Sequence, residues 1–150
     1  MSEFIFPGIK ILVKELQCPC CGHLPPDLYT DDFYLTSFNV WQVIRDEWGK
    51  PIPISRGGGY RCPKYQLNLI LSGKTQAACS PHYFWALDND LDSVVECEAF
   101  VDLVDKKFPD IRIGYLKYIN LRIPKTFVHI DNAYLVKPKP NPSWIKGVRW

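Results

Sequence analysis

Two long amphipathic segments, each with a start and a stop signal, most constrain what this chain can fold into. In DDFYLTSFNVWQVIRDEWGK, residues 31–50, Asp31 or Asp32 can act as N-cap. Phe33, Leu35, Phe38, Val40, Trp41, Val43, Ile44 and Trp48 then form a broad apolar stripe at helical spacing, which Gly49 and Pro51 end. The second segment starts at Asp92-Ser93. Val94, Val95, Cys97, Phe100, Val101, Leu103, Val104 and Phe108 provide its core face, and Pro109 stops it. A shorter helix is expected in KYQLNLILSGK, ending at Gly73. Between and after these helices lie strand-like runs: PIPIS (51–55), WALDND (85–90), IRIGYLKYINLRI (111–123, with a hairpin or bend) and TFVHIDNAYL (126–135).

The strands are short, and two or three lie close together near the C-terminus. That predicts an α+β fold with a mostly antiparallel central sheet flanked by helices. The 150 residues suit one domain, 1–150, and no repeat or composition break divides them. CPCCGHLPPD, RGGGYRCP and KTQAACSPH read as loops. The Pro-rich tail, 137–150, reads as an extended wrap over the surface.

Composition excludes several function classes. The chain is 47% hydrophobic and 14% aromatic, which is globular rather than disordered. A net charge of +2 argues for neither a nucleic-acid nor a membrane-surface partner. Charged residues interrupt every apolar run before it reaches spanning length, so membrane insertion is not expected. The N-terminus lacks the pattern of a signal peptide, so synthesis in the cytoplasm is expected. Reduced thiols are then the default state for Cys18, Cys20, Cys21, Cys62, Cys79 and Cys97. Cys18, Cys20, Cys21 and His23, completed by Cys62 or Cys79, have spacing compatible with a structural zinc. The second ligand pair of a zinc ribbon is absent, and buried free thiols or a disulfide formed after release are the favoured states.

Chemistry concentrates in SPHYFWALDND (80–90) and FVHID (127–131). On a strand, Phe127, His129 and Asp131 share one face, with Val128 and Ile130 on the other. Asp88 and Asp90 likewise share a face and compete for one role. Zinc takes nitrogen and oxygen ligands, and catalytic sites use three protein ligands with an open fourth position. His82, Asp88 and His129 suit that pattern; a histidine on a strand also serves as an ordinary core residue. Tyr60, Tyr83, Phe84 and Trp85 either line a cleft or bury the sheet, the second being the default.

Four segments together carry a resemblance. SPH…ALD resembles the motif S-x-H-x-x-G-x-A-x-D of the zinc D-alanyl-D-alanine carboxypeptidase family, which includes vancomycin-resistance dipeptidases and phage L-alanyl-D-glutamate endopeptidases. ISRGGGYRCPKYQ resembles that family's S-G-Y-R-x-P-x-x-N segment, FVHID the segment with the last histidine ligand, and KELQCPCCG the opening of small phage and bacterial members. The resemblance implies a zinc DD-peptidase or Hedgehog-like fold, with His82, Asp88 and His129 as ligands of Zn2+. It implies substrate contact or charge stabilisation by Arg61, support from Ser80, and Tyr60 beside the substrate. The expected activity is hydrolysis of peptide bonds in peptidoglycan, by a phage cell-wall hydrolase acting on the wall after release or as part of a virion.

This chain departs from the pattern in places. Five residues separate His82 from Asp88 where the family has six, and the motif glycine is missing. Gln66 replaces an asparagine. Thr126 stands where several relatives carry an acid, leaving Asp131 as the nearest carboxylate, either as general base or as support for His129. The alternatives are a non-catalytic peptidoglycan- or peptide-binding module on the same fold, and a phage structural or interaction protein.

Overall fold

The computed structural model describes residues 3–75 and 79–150. Residues 1 and 2 of the N-terminal segment and 76–78 of the expected 74–82 loop lie outside the described residues. The fold is α+β, built as one body around a small three-stranded antiparallel sheet.

The elements are helix α1 (Val13–Leu16), α2 (Asp32–Trp48), α3 (Pro63–Leu71), strand β1 (Ala86–Asp90), α4 (Val94–Lys107), β2 (Arg112–Gly114), α5 (Leu116–Ile119) and β3 (Phe127–Asp131). The helix signals act as their chemistry dictates. Asp31 caps α2 by accepting from the Phe33 amide at 2.9 Å, and Gly49 closes it in the left-handed region at φ 82°. Ser93 caps α4 through the Glu96 amide. Cys62 caps α3, with Pro63 in the first turn, where a missing N–H costs nothing. The buried stripe of α2 is narrower than its apolar residues suggest. Tyr34, Ser37, Phe38, Trp41 and Ile44 are buried, whereas Leu35 and Val43 face outward, as does Val95 of α4.

Strand β3 is central, in the order β1-β3-β2. Its register pairs Asp88 with His129 and Ala86 with Asp131 on one side, and Arg112 with Asp131 and Gly114 with His129 on the other. Period-two alternation therefore divides the sheet. Leu87, Asn89, Ile113, Val128 and Ile130 form a back face, all of it buried, in the core with α2 and α4. Asp88, His129, Asp131 and Arg112 share the front face.

Two expected strands are corrected. PIPIS is an edge segment touching β1 by one bridge, Ile54 to Asn89; Pro51 and Pro53 have no amide to donate to a ladder. In 111–123 only Arg112–Gly114 is strand, and α5 follows it directly, so there is no hairpin. Strand β3 also stops at Asp131, before a 3-10 turn over Ala133–Leu135. The tail does cross the surface, but it buries Trp144 and ends beside β2, bridging Ile113 in parallel through Arg149. Both sheet edges are thereby covered. No helix among the described residues is long and apolar enough to cross a membrane.

One buried polar residue ties helix to sheet. Asn89 accepts from the Trp41 indole at 2.9 Å and donates to the Leu87 and Val128 carbonyls, each at 3.1 Å. Asn89→Ala is expected to leave these groups unpaired in a dry core and to cost at least about 2 kcal/mol of unfolding free energy. Urea unfolding followed by tryptophan fluorescence reads the loss. An unchanged midpoint would remove this contact from the account of the fold.

Candidate metal centre

The front face of the sheet gathers the residues with chemistry, and four separate stretches of chain position them. Asp88 and His129 meet because they are register partners on β1 and β3: His129 Nδ1 lies 2.9 Å from Asp88 Oδ1. His82 arrives on a 3-10 turn, Pro81–Tyr83, capped by the Ser80 hydroxyl, which accepts from the His82 amide at 3.2 Å. Its Nε2 is 3.4 Å from the same Asp88 Oδ1, and the two imidazole centroids are 5.0 Å apart. One ligand atom from each of His82, Asp88 and His129 lies within 4.8 Å of the others, and all three residues are buried.

That geometry fits a small divalent cation. With ligand bonds of about 2.1 Å, tetrahedral coordination puts ligand atoms about 3.4 Å apart. The supporting bonds select which atoms face the centre. His82 Nδ1 is 2.8 Å from the Gly59 carbonyl, so it carries the hydrogen and Nε2 presents a lone pair. His129 Nε2 is 2.7 Å from Asp131 Oδ2, an acceptor, so the Nε2 hydrogen points there and Nδ1 points inward. Arg61 donates from Nη2 to Asp88 Oδ2 at 3.2 Å and from Nε to the Gly57 carbonyl at 2.6 Å. Such outer partners fix the tautomer and aim the ligands.

Electrostatics agree with this division. Burial disfavours the charged Asp88, but His82 and His129 outweigh it and hold the carboxyl well below the usual carboxylate range. Burial pushes His82 down, and the Asp88 charge opposes that shift. Burial would also push His129 down, but bonds to Asp131 and Asp88 raise it. Carboxylates at both nitrogens thus favour the protonated imidazole of His129, and a cation would compete with the proton on Nδ1.

Other expected residues have definite places. Asp90 is exposed and bonded to the Ser55 hydroxyl, away from the cluster, so Asp88 is the carboxylate that meets the histidines. Asp131 is fully buried behind His129. Its second oxygen accepts from the Ala133 amide at 2.9 Å and lies 3.1 Å from Arg112 Nε. Of the two roles open to it in sequence, this placement suits support for His129. Ser80 is buried, and its hydroxyl accepts from the His82 amide beside the candidate ligands. Tyr60, Tyr83 and Phe84 line a cavity of about 570 Å³, whereas Trp85 packs into the core against Phe38. The three candidate ligands are not among the walls of that cavity.

The glycine run is part of the construction. A Cβ on Gly58 would lie 2.7 Å from the Cβ of Asp88, and one on Gly59 would lie 2.8 Å from the Cα of Leu16. Only hydrogens fit there. Sequence reasoning missed the roles of Arg112, Tyr118 and Trp150. The Trp150 ring sits 5.4 Å from His129 and 4.9 Å from the Arg112 guanidinium, over a place where Gly114 has no side chain. Tyr118 is raised by burial first and then by the Asp88 charge. Their one local signal was the Arg-Ile-Gly alternation, hidden in a longer apolar run. No family model matches the chain, and no curated protein or solved structure matches it at a significant level.

Proposed function

We propose that the protein is a zinc-dependent hydrolase of peptide bonds in peptidoglycan, on a fold of the zinc DD-peptidase type, acting as a phage cell-wall hydrolase. The observation that carries this reading is the convergence of His82, Asp88 and His129, each aimed by its own partner. In a three-ligand site zinc supplies Lewis acidity toward a carbonyl and a more acidic water. The chain supplies the rest. Gly59 and Asp131 hold the two imidazoles in the ligating tautomers, and Arg61 steadies Asp88. Arg61 is also the nearest candidate to steady charge developing on a scissile carbonyl. Tyr60 and Tyr83 offer apolar walls next to Arg61 and His82, where we place one side of a stem peptide.

One observation favours a second reading, a peptide-binding module that holds metal without cutting. The three ligands are only 3–5% exposed, Trp150 lies against His129, and Asp131 is engaged with both oxygens.

Elemental analysis of the wild type beside His82→Ala and His129→Ala, with mass spectrometry of digested muropeptides, separates these outcomes. One zinc per chain is expected to depend on both histidines. Products are expected to be free D-Ala, or fragments cut between L-Ala and D-Glu, lost on chelation and restored by zinc. Bound zinc with no released product selects the binding module. No metal dependent on either histidine overturns both.

A further inference from the structure

A second cluster of metal-ligating side chains lies apart from the His-Asp-His group. Cys18, Cys21 and Cys62 bring their sulfur atoms within 4.8 Å of one another. The sequence alone favoured free thiols or a disulfide here, since it lacked a second ligand pair. The fold supplies the missing partner from a distance of 44 residues, by placing the first residue before α3 against the N-terminal loop.

The backbone around these sulfurs is built to face them. Cys18-Pro19-Cys20-Cys21-Gly22 is a tight knuckle. The Gly22 amide donates to the Cys18 carbonyl at 2.8 Å, and the Cys18 amide donates to the His23 carbonyl at 2.9 Å. Gly22 has φ 71°, a conformation that favours glycine. Cys18 Sγ accepts from the Cys62 amide at 3.4 Å. Cys62 Sγ accepts from the Tyr65 amide at 3.4 Å. A neutral thiol is a poor acceptor, whereas a thiolate collects such donors. Yet three thiolates this close repel one another unless a cation sits among them. Tetrahedral zinc geometry, with Zn–S of about 2.3 Å, needs sulfurs about 3.8 Å apart, inside the observed limit.

We propose that Cys18, Cys21 and Cys62 hold a structural zinc ion, whose fourth position faces the exposed side of the loop at Cys21. Soft sulfur donors select zinc over calcium or magnesium. His23, a candidate ligand in the sequence, is exposed and contributes its backbone instead. The ion would clamp the N-terminal loop to the segment that carries Arg61. That segment is already laced to its surroundings: the Tyr60 amide donates to the Leu16 carbonyl at 2.9 Å, and the Arg61 amide to the His82 carbonyl at 3.1 Å. The proposal stands whether or not the His-Asp-His group is catalytic.

The test uses the full chain purified under reducing conditions, with His82→Ala and His129→Ala combined to remove the other centre. Cobalt(II) added to the metal-stripped protein is expected to give one equivalent of a thiolate-to-cobalt charge-transfer band. Zinc should displace it, and further Cys18→Ser and Cys21→Ser changes should abolish it. Should the serine variant not fold, mercurial titration of the unmutated cysteines gives the second readout: one zinc released as three thiols react. Absence of the band with six titratable thiols would overturn the proposal. So would a band that survives the serine changes, or a Cys18–Cys62 disulfide found by mass spectrometry.

Discussion

Asp88→Ala is expected to abolish metal retention at the His-Asp-His centre and peptidoglycan turnover together. Asp88 is the one residue that touches every other member: both histidines through Oδ1 and Arg61 through Oδ2. Loss of an outer partner alone costs about 10–100-fold in metal affinity, so loss of a ligand should cost more than about 100-fold. The metal-free protein should suffer as well. Arg61 would lose a buried counter-ion and His129 a partner at Nδ1, an effect of about 3–5 kcal/mol. Asp88→Asn keeps the shape and serves as the companion variant. Competition against a chromophoric chelator reads the affinity, and urea unfolding reads the stability. If Asp88→Asn melts early yet holds metal as the wild type does, Asp88 is a structural counter-ion and the metal centre fails.

Asp131→Asn separates support from base catalysis. The carboxylate accepts from His129 and stands beside Arg112, on the far side of the imidazole from Asp88. As support, its loss should weaken metal affinity about 10–100-fold, because the imidazole is no longer aimed. Turnover at saturating zinc should then recover in large part, with both limbs of its pH profile intact. As general base, its loss should lower kcat about 10²–10⁴-fold whatever the zinc concentration, and erase the acidic limb. The geometry predicts the first pattern. The second would mean that Asp131 turns away from His129 when substrate binds.

Much of the local structure was legible. The caps of α2 and α4, the break at Gly49 and the strand at residues 86–90 follow from short-range rules, because a cap or a stop involves neighbours in the chain. The strand expected from residue 111 onward failed where apolar content outran periodicity: Leu116 and Ile119 belong to a helical turn. Leu35 and Val43 failed for a related reason, since an apolar side chain is free to stay on the surface.

For the candidate centre, the sequence by itself determined the donor types and the sharing of one strand face by His129 and Asp131. It could not choose between Asp88 and Asp90, which alternate identically. The tertiary structure decided that through strand register, since Asp88 pairs with His129 while Asp90 pairs with Phe127. It likewise decided that Asp131 backs His129, that Trp150 covers it, and that Cys62 joins the N-terminal thiols. Each of these is a contact between residues remote in the chain. Such contacts depend on how the sheet pairs and on where glycines let backbones meet, and no local pattern carries that information.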